Sequence, residues 1–265
     1  EEVCRHYAEM GVKGFKIDFF DSNDQDETGF LDKAAETAAR YNLVLDLHGT
    51  HIPAGINRKW PNVLNCEGVH GLETNKWNDR SYDQMHYDVT IPFIRQAGGP
   101  MDYTQGAMHN ANRNNFYPIY SNPMSQGTRC HQLGLYPILD SPLNMLCDSP
   151  SNYNAEPESL EFIAGIPTVW DETIIVDGRL GEYIVTARRK GNDWYIGGIT
   201  DWTPRDITVD LSFLPEGQYD AVWFIDGVNA HRNAQDYEPM TAGSGTVKNI
   251  HLAPGGGFAA HLTKK

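Results

Sequence analysis

Residues 43–77 read LVLDLHGTHIPAGINRKWPNVLNCEGVHGLETNKW. Two short apolar runs sit in this stretch. LVLDLH (43–48) carries Asp46 and His48 toward its end, and NVLNCE (62–67) follows Pro61 and ends on Glu67. Short apolar runs bounded by turn residues are strand candidates. Upstream, GFKIDFF (14–20) is another, and in residues 27–41 Phe30, Leu31, Ala34, Ala35 and Ala38 fall at helical spacing. Downstream, 82–96 reads as a helix and MDYT (101–104), after Gly98-Gly99-Pro100, as a short strand. Residues 126–136 then read as a helix, and PILDSPL (137–143) carries the last repeat.

Strands alternating with helices argue for a parallel sheet. Polar residues recur at the C-terminal ends of these strands: Asp18, Asp46, His48, Glu67, Asp102 and Asp140. In a (β/α)8 TIM barrel that end is the active face, and such a barrel has eight repeats. Five are visible here, so the expectation is the C-terminal portion of a barrel, about strands 4–8, with the earlier repeats upstream. An open five-stranded sheet is the alternative. It is disfavoured because no Gly-rich phosphate turn follows the first strand. Residues 1–10 read as the body of a helix with no initiator Met, so the true N-terminus is expected elsewhere.

Near Trp170 the pattern changes. Residues 172–176, 182–188, 194–200, 206–211, 218–224 and 258–262 alternate apolar and polar side chains, separated by turns such as Asp177-Gly178 and Asp226-Gly227. That spacing predicts an antiparallel β-sandwich. The expected domains are 1–168 and 169–265, with no long linker and therefore close packing.

The net charge is −14, and no basic run exceeds Arg188-Arg189-Lys190. This speaks against a nucleic-acid partner. No apolar run reaches transmembrane length and no signal peptide is visible. The four cysteines show no CxxC spacing, so neither a zinc knuckle nor a disulfide scaffold is indicated. The 13 Tyr, 10 Phe and 6 Trp suit a sugar-handling protein, although most are expected in the core.

Four groups of residues could carry chemistry. Lys16 and Asp18 share a face of the first strand, by period-two geometry. The ammonium favours an ionised carboxylate, as a nucleophile requires; a structural salt bridge is the other reading. Glu67 and Glu73 flank a loop in which Gly68 and Gly71 permit a tight fold. They could share a cation, form an acid/base group, or be solvated loop carboxylates. His48 and His51 have HxxH spacing without HExxH, a weak zinc signal; His48 reads better as a substrate-facing hydrogen bonder or a core histidine, with Asp46 placed to orient it. The acidic run 21–26 lacks the Gly and Glu of a calcium loop and reads as a loop with a helix N-cap.

Taken together these stretches resemble glycoside hydrolase family 97. The match runs through GVKGFKIDFFDSNDQ (11–25), the 43–77 stretch, GGPMDYTQGAM (98–108), SPLNMLCDSPSNY (141–153) and PTVWDETIIVDGRLGEYIVTARRKGNDWYIGGITDW (167–202). The resemblance implies an N-terminal β-sandwich, a (β/α)8 barrel and a C-terminal β-domain, this chain starting just before barrel strand four. It implies a bacterial, periplasmic or secreted carbohydrate-active hydrolase.

In the family's retaining branch an Asp nucleophile ends strand four, and Asp18 matches it. In the inverting branch a Gly stands there, and one base glutamate follows the strand-five histidine. That later position is Gly49 in this chain. Glu73 matches the general acid. Glu67 and Glu73 match carboxylates that hold Ca²⁺, the remaining one lying in the N-terminal part, so the missing N-terminal segment is an expected partner. Lys16, His48 and Asp46 are expected to bind substrate.

The implied activity is hydrolysis of terminal α-linked sugars on oligosaccharides by double displacement, with carboxyl groups about 5–5.5 Å apart. α-Galactoside is the preferred substrate. An α-glucosidase of the same family, a metal-dependent barrel hydrolase and an inactive fragment remain the alternatives.

Overall fold

The computed structural model describes residues 1–20, 22–243 and 247–265. It divides into two compact units: Glu1–Gly71 with Ile94–Thr104 and Asp140–Met145, and Leu72–Phe93 with Gln105–Leu139 and Leu146–Lys265.

The first unit runs α1 (Glu2–Glu9), β1 (Gly14–Ile17), α2 (Gln25–Arg40), β2 (Val44–Leu47), α3 (Ile56–Lys59) and β3 (Val63–Cys66). The three strands form a parallel sheet in the order β1-β2-β3. Asp24 caps α2, its side chain accepting from the Asp26 and Glu27 amides. That is the N-cap role expected of the acidic run, whose first residue, Asp21, lies outside the described residues. Leu31, Ala35 and Ala38 of α2 pack with Leu43, Leu45, Leu47, Val63 and Cys66. The opposite face of β2 then carries Asp46 and His48, because strand side chains alternate.

Sequence patterning overstates the sheet beyond β3. Residues 101–104 join it only through a parallel bridge between Cys66 and Met101. Residues 137–143 form no strand; there the Asp140 carbonyl accepts the Met101 amide. Asn65 of β3 anchors this segment, donating from Nδ2 to Ser141 Oγ and the Leu143 carbonyl. Pro100 and Pro142 remove backbone donors that a ladder would need.

The helix expected over 82–96 is broken into α4 (Gln84–Asp88), α5 (Ile91–Ile94) and a 3-10 turn, Arg95–Gly98. Pro92, with no N–H to give, sits inside α5.

The second unit adds β4 (Asn110–Ala111), β5 (Ser125–Gln126), α6 (Arg129–Ile138), α7 (Pro150–Asn154) and α8 (Pro157–Gly165). Eight strands follow: β6 (Glu172–Arg179), β7 (Tyr183–Lys190), β8 (Asp193–Thr200), β9 (Arg205–Asp210), β10 (Tyr219–Asp226), β11 (Tyr237–Gly243), β12 (Val247–Leu252) and β13 (Gly257–Lys264). They make an antiparallel six-stranded sheet, β11-β10-β13-β8-β7-β6, and a two-stranded sheet, β12-β9.

The antiparallel C-terminal part is therefore as expected, with β11 and β12 added to the six strands legible in sequence. One face of the large sheet, carrying Trp194, Trp223 and Phe258, packs with Val209, Ile250 and Leu252 of the small one. Its other face, with Tyr195, Phe224 and Ala259, is covered by Cys130, Leu133 and Tyr136 of α6. α6 comes very close to β8: a Cβ added at Gly197 would run into the Gly134 carbonyl oxygen, and one at Gly134 would lie 2.8 Å from the Phe258 oxygen.

Candidate active site

The polar residues of the first unit gather where β1, β2 and β3 end. The ladder continues one residue past β2 and past β3, with the His48 amide donating to Ile17 and the Glu67 amide to Leu47. This fixes His48 and Glu67 at the strand tips.

Asp102, 1% exposed, is the hub. Its Oδ2 lies 2.7 Å from Lys16 Nζ and 2.7 Å from His48 Nδ1. Burial alone would raise its pKa, but the hydrogen bonds and charges of His48 and Lys16 outweigh burial and hold it below the usual carboxylate range.

Two sequence expectations are corrected here. Lys16 is paired with Asp102 rather than Asp18, because its long side chain reaches across the strand tips to the buried charge. His48 is oriented by Asp102 rather than by Asp46.

Asp46 stands beside this hub and is fully buried. Neither of its oxygens accepts a hydrogen bond, nor does Asp102 Oδ1. Desolvation first, and then the Asp102 charge, push the Asp46 carboxyl up to about 7. A proton on Asp46 would relieve the repulsion between the two buried carboxylates.

His48 Nε2 points to Glu67 Oε1 at 3.4 Å. Glu67 Oε2 accepts the Gly49 amide at 2.7 Å. The loop after Glu67 is tight: Gly68 has φ +45, and a Cβ there would lie 2.5 Å from the Ile52 nitrogen. Arg95, 5% exposed, braces this loop through the carbonyls of Cys66, Glu67, Gly68, Gly99 and Pro100. Neither Asp102 as hub nor Arg95 as brace was assigned a role from sequence. Asp102 was visible as a strand-end acid; Arg95 sits in an ordinary amphipathic stretch and gave no signal.

Asp18 follows β1 on the exposed side of the sheet end. Its Oδ1 accepts the Phe19 amide at 2.6 Å. That contact goes with a left-handed backbone at Phe19, φ 68, uncommon for a bulky residue and typical of functional sites. Thr104, just past Asp102, is left-handed too, at φ 63. Gly49 closes against Asp18. It has φ +63, and a Cβ added there would lie 2.8 Å from Asp18 Oδ1. In this backbone an aspartate at 18 and a side chain at 49 compete for the same space.

Glu73 belongs to the second unit, on the 3-10 helix Leu72–Lys76 that opens it. His51 turns its Nδ1 to the Ile52 carbonyl. Among the described residues, no candidate metal cluster of three or more ligands includes it. The cysteines are free, and burial pushes the Cys66 thiol up to about 11.

A parallel sheet with carboxylates, a lysine and an oriented histidine at its C-terminal edge has the placement of functional groups used by sites built on strand ends. The comparisons make this specific. Residues 1–69 match the model of glycoside hydrolase 97, and residues 169–263 match its C-terminal model, described as an oligomerisation region. The chain belongs to glycoside hydrolase family 97.

It is 66% identical over 266 aligned residues to a retaining alpha-galactosidase of Bacteroides thetaiotaomicron, covering 99% of this chain and 40% of that protein. A probable retaining alpha-galactosidase of Streptomyces bingchenggensis is 34% identical, with 94% of this chain and 36% of that protein covered. Among solved structures, a family 97 enzyme from Pseudoalteromonas in complex with acarbose aligns with TM-score 0.86 and 28% identity, over 100% of this chain and 44% of that one. The chain thus spans about two fifths of the length of the curated relatives it matches. Among the described residues, no helix is long and apolar enough to cross a membrane.

Proposed function

We propose that the protein carrying this chain is a retaining exo-α-glycosidase acting on terminal α-galactosides, with Asp18 as nucleophile and Glu73 as general acid/base. The observation that carries the reading is the contact between Asp18 and Gly49. Any side chain at position 49 would crowd the Asp18 carboxylate, its Cβ falling 2.8 Å from Oδ1 and 3.1 Å from the Phe19 nitrogen, which favours attack by the protein's own carboxylate over attack by an activated water. The identity to a retaining alpha-galactosidase supports the same choice.

In the first step an Asp18 oxygen bonds to the anomeric carbon as the glycosidic C–O bond breaks, and Glu73 gives its proton to the leaving oxygen. In the second, Glu73 takes a proton from water, whose oxygen attacks the same carbon and releases Asp18. Lys16, held by Asp102 together with His48, keeps further ammonium donors at the strand tips for sugar hydroxyls.

β1, β2 and β3 are read as barrel strands four to six. Support comes from β1, which ends the sheet and leaves an apolar groove of about 540 Å³ lined by Cys4, Phe15, Phe30 and Ala34.

Ca²⁺ is the proposed cofactor, held by Glu67 and Glu73. Carboxylate oxygens are the donors it takes, and the partly buried Glu67 fits, with its Oε2 already oriented by Gly49. When bound, the ion supplies positive charge that orients the carboxylates and sugar hydroxyls. Chelation with EGTA is expected to lower both activity and melting temperature, with recovery on adding Ca²⁺; an unchanged protein after verified metal removal counts against the ion.

The residue roles are tested with Asp18→Ala in the complete protein. Hydrolysis of p-nitrophenyl α-galactoside should fall by at least about 10³-fold, a typical loss for a catalytic nucleophile. Added azide should restore turnover and yield the β-galactosyl azide. Wild-type-like activity in the variant rules out Asp18, and faster wild-type turnover of the α-glucoside shifts the substrate to glucose.

A further inference from the structure

Four residues after Glu73 the second unit exposes an aromatic surface that the catalytic reading does not use. Trp77 is 53% exposed and Tyr120 is 70% exposed, unusual for rings of their size. Their centroids are 6.2 Å apart with planes inclined by 33°, so the two rings form one shallow platform. Tyr117, half exposed and three residues before Tyr120 in the chain, is held by the Arg80 guanidinium 4.0 Å from its ring centre. Arg80 is itself fixed by donating to the Asn114 carbonyl at 2.7 Å.

The platform is tied to the helix that carries Glu73. The Trp77 amide donates to Thr74 at 3.1 Å, continuing the helical turn past Lys76. Lys76 comes one 3-10 turn after Glu73 and so lies on the same side of that helix. Its Nζ reaches to 5.1 Å from the Tyr120 ring centre. The Trp77 ring and the proposed proton donor therefore belong to one short segment, and Lys76 of that segment reaches Tyr120. Exposed aromatic rings with cations over one face match a pyranose: its C–H face packs on a ring face the cation leaves open, and its hydroxyls accept from lysine and arginine.

We infer that Trp77 and Tyr120 form a leaving-group subsite that binds the sugar to which the terminal residue is attached. This rests on the reading of Glu73 as the acid that protonates the leaving oxygen. It makes the preferred substrate an oligosaccharide rather than a glycoside of a small alcohol.

The test compares two substrates in the complete protein. α-Galactosyl fluoride has no leaving-group sugar; a trisaccharide ending in an α-galactosyl residue has two. Trp77→Ala is expected to lose about ten-fold in kcat/KM on the trisaccharide while hydrolysing the fluoride within two-fold of wild type, and Trp77→Phe to keep most trisaccharide activity. Equal losses on the two substrates, or no loss on either, overturn the subsite. If Trp77→Ala fails to fold, Tyr120→Ala, at a more exposed position, is judged by the same criterion. A wild-type protein that turns over neither substrate contradicts the galactosidase reading instead. Calorimetry in the inactive Asp18→Ala background then decides the platform: the trisaccharide must bind more tightly than galactose, and adding Trp77→Ala must abolish that difference.

Discussion

At the residue scale the site is a set of charges arranged around Asp102. Asp18, Lys16, Asp46, His48 and Glu67 were all visible as strand-end polar residues in a repeating pattern. Their pairing was not visible, because spacing along one strand does not say which neighbour a long side chain will choose. Lys16 illustrates this: period two aims it alongside Asp18, yet it reaches the better-desolvated carboxylate, Asp102.

The buried Asp46 has a consequence for pH. Its folded-state pKa of about 7 lies above that of an unfolded Asp, about 4. Between those values the folded chain holds a proton the unfolded chain does not. Asp46 thus costs stability as pH rises through that window, at about 1.4 kcal/mol per pH unit. Asp46→Asn should flatten this part of the profile, with a smaller fall in melting temperature between pH 5 and 8 than wild type. Superimposable profiles would show that Asp46 is ionised throughout.

At the element scale, the three parallel strands, α2 and most of the C-terminal strands were legible because their apolar periodicity is clean. Where the structure departs from that periodicity, the cause is local. Pro92 breaks the expected 82–96 helix, Pro100 and Pro142 thin the next two strands to a bridge and a hydrogen bond, and Pro239 disguises β11. α6 reads in sequence as one more barrel helix, whereas it covers a face of the C-terminal sheet. Its glycine against β8 looks like a weak point in a helix until the sheet is seen to need Gly197 opposite it. Gly197→Ala is expected to destabilise the protein by about 3 kcal/mol, at the upper end for overpacking, since the obstruction is backbone on both sides. Denaturant midpoints will check this, and a loss under about 0.5 kcal/mol, the range of ordinary surface changes, would show that helix and sheet separate easily.

At the scale of the whole molecule, the family follows from matches at both ends of the chain, and the antiparallel C-terminal architecture was foreseen from turn spacing. The proposed galactose preference has no local signature in the strands and rests on the relatives. The proposed chemistry turns on a smaller feature: position 49 is a glycine packed on Asp18, which favours the protein's own carboxylate over a water held by a base at that position. The most direct measurement of that claim is proton NMR of the sugar released first from an α-galactoside by the complete protein, recorded before mutarotation mixes the anomers. Two displacements predict that α-galactose appears first; β-galactose as the initial product would mean a single displacement and would contradict the role given to Asp18.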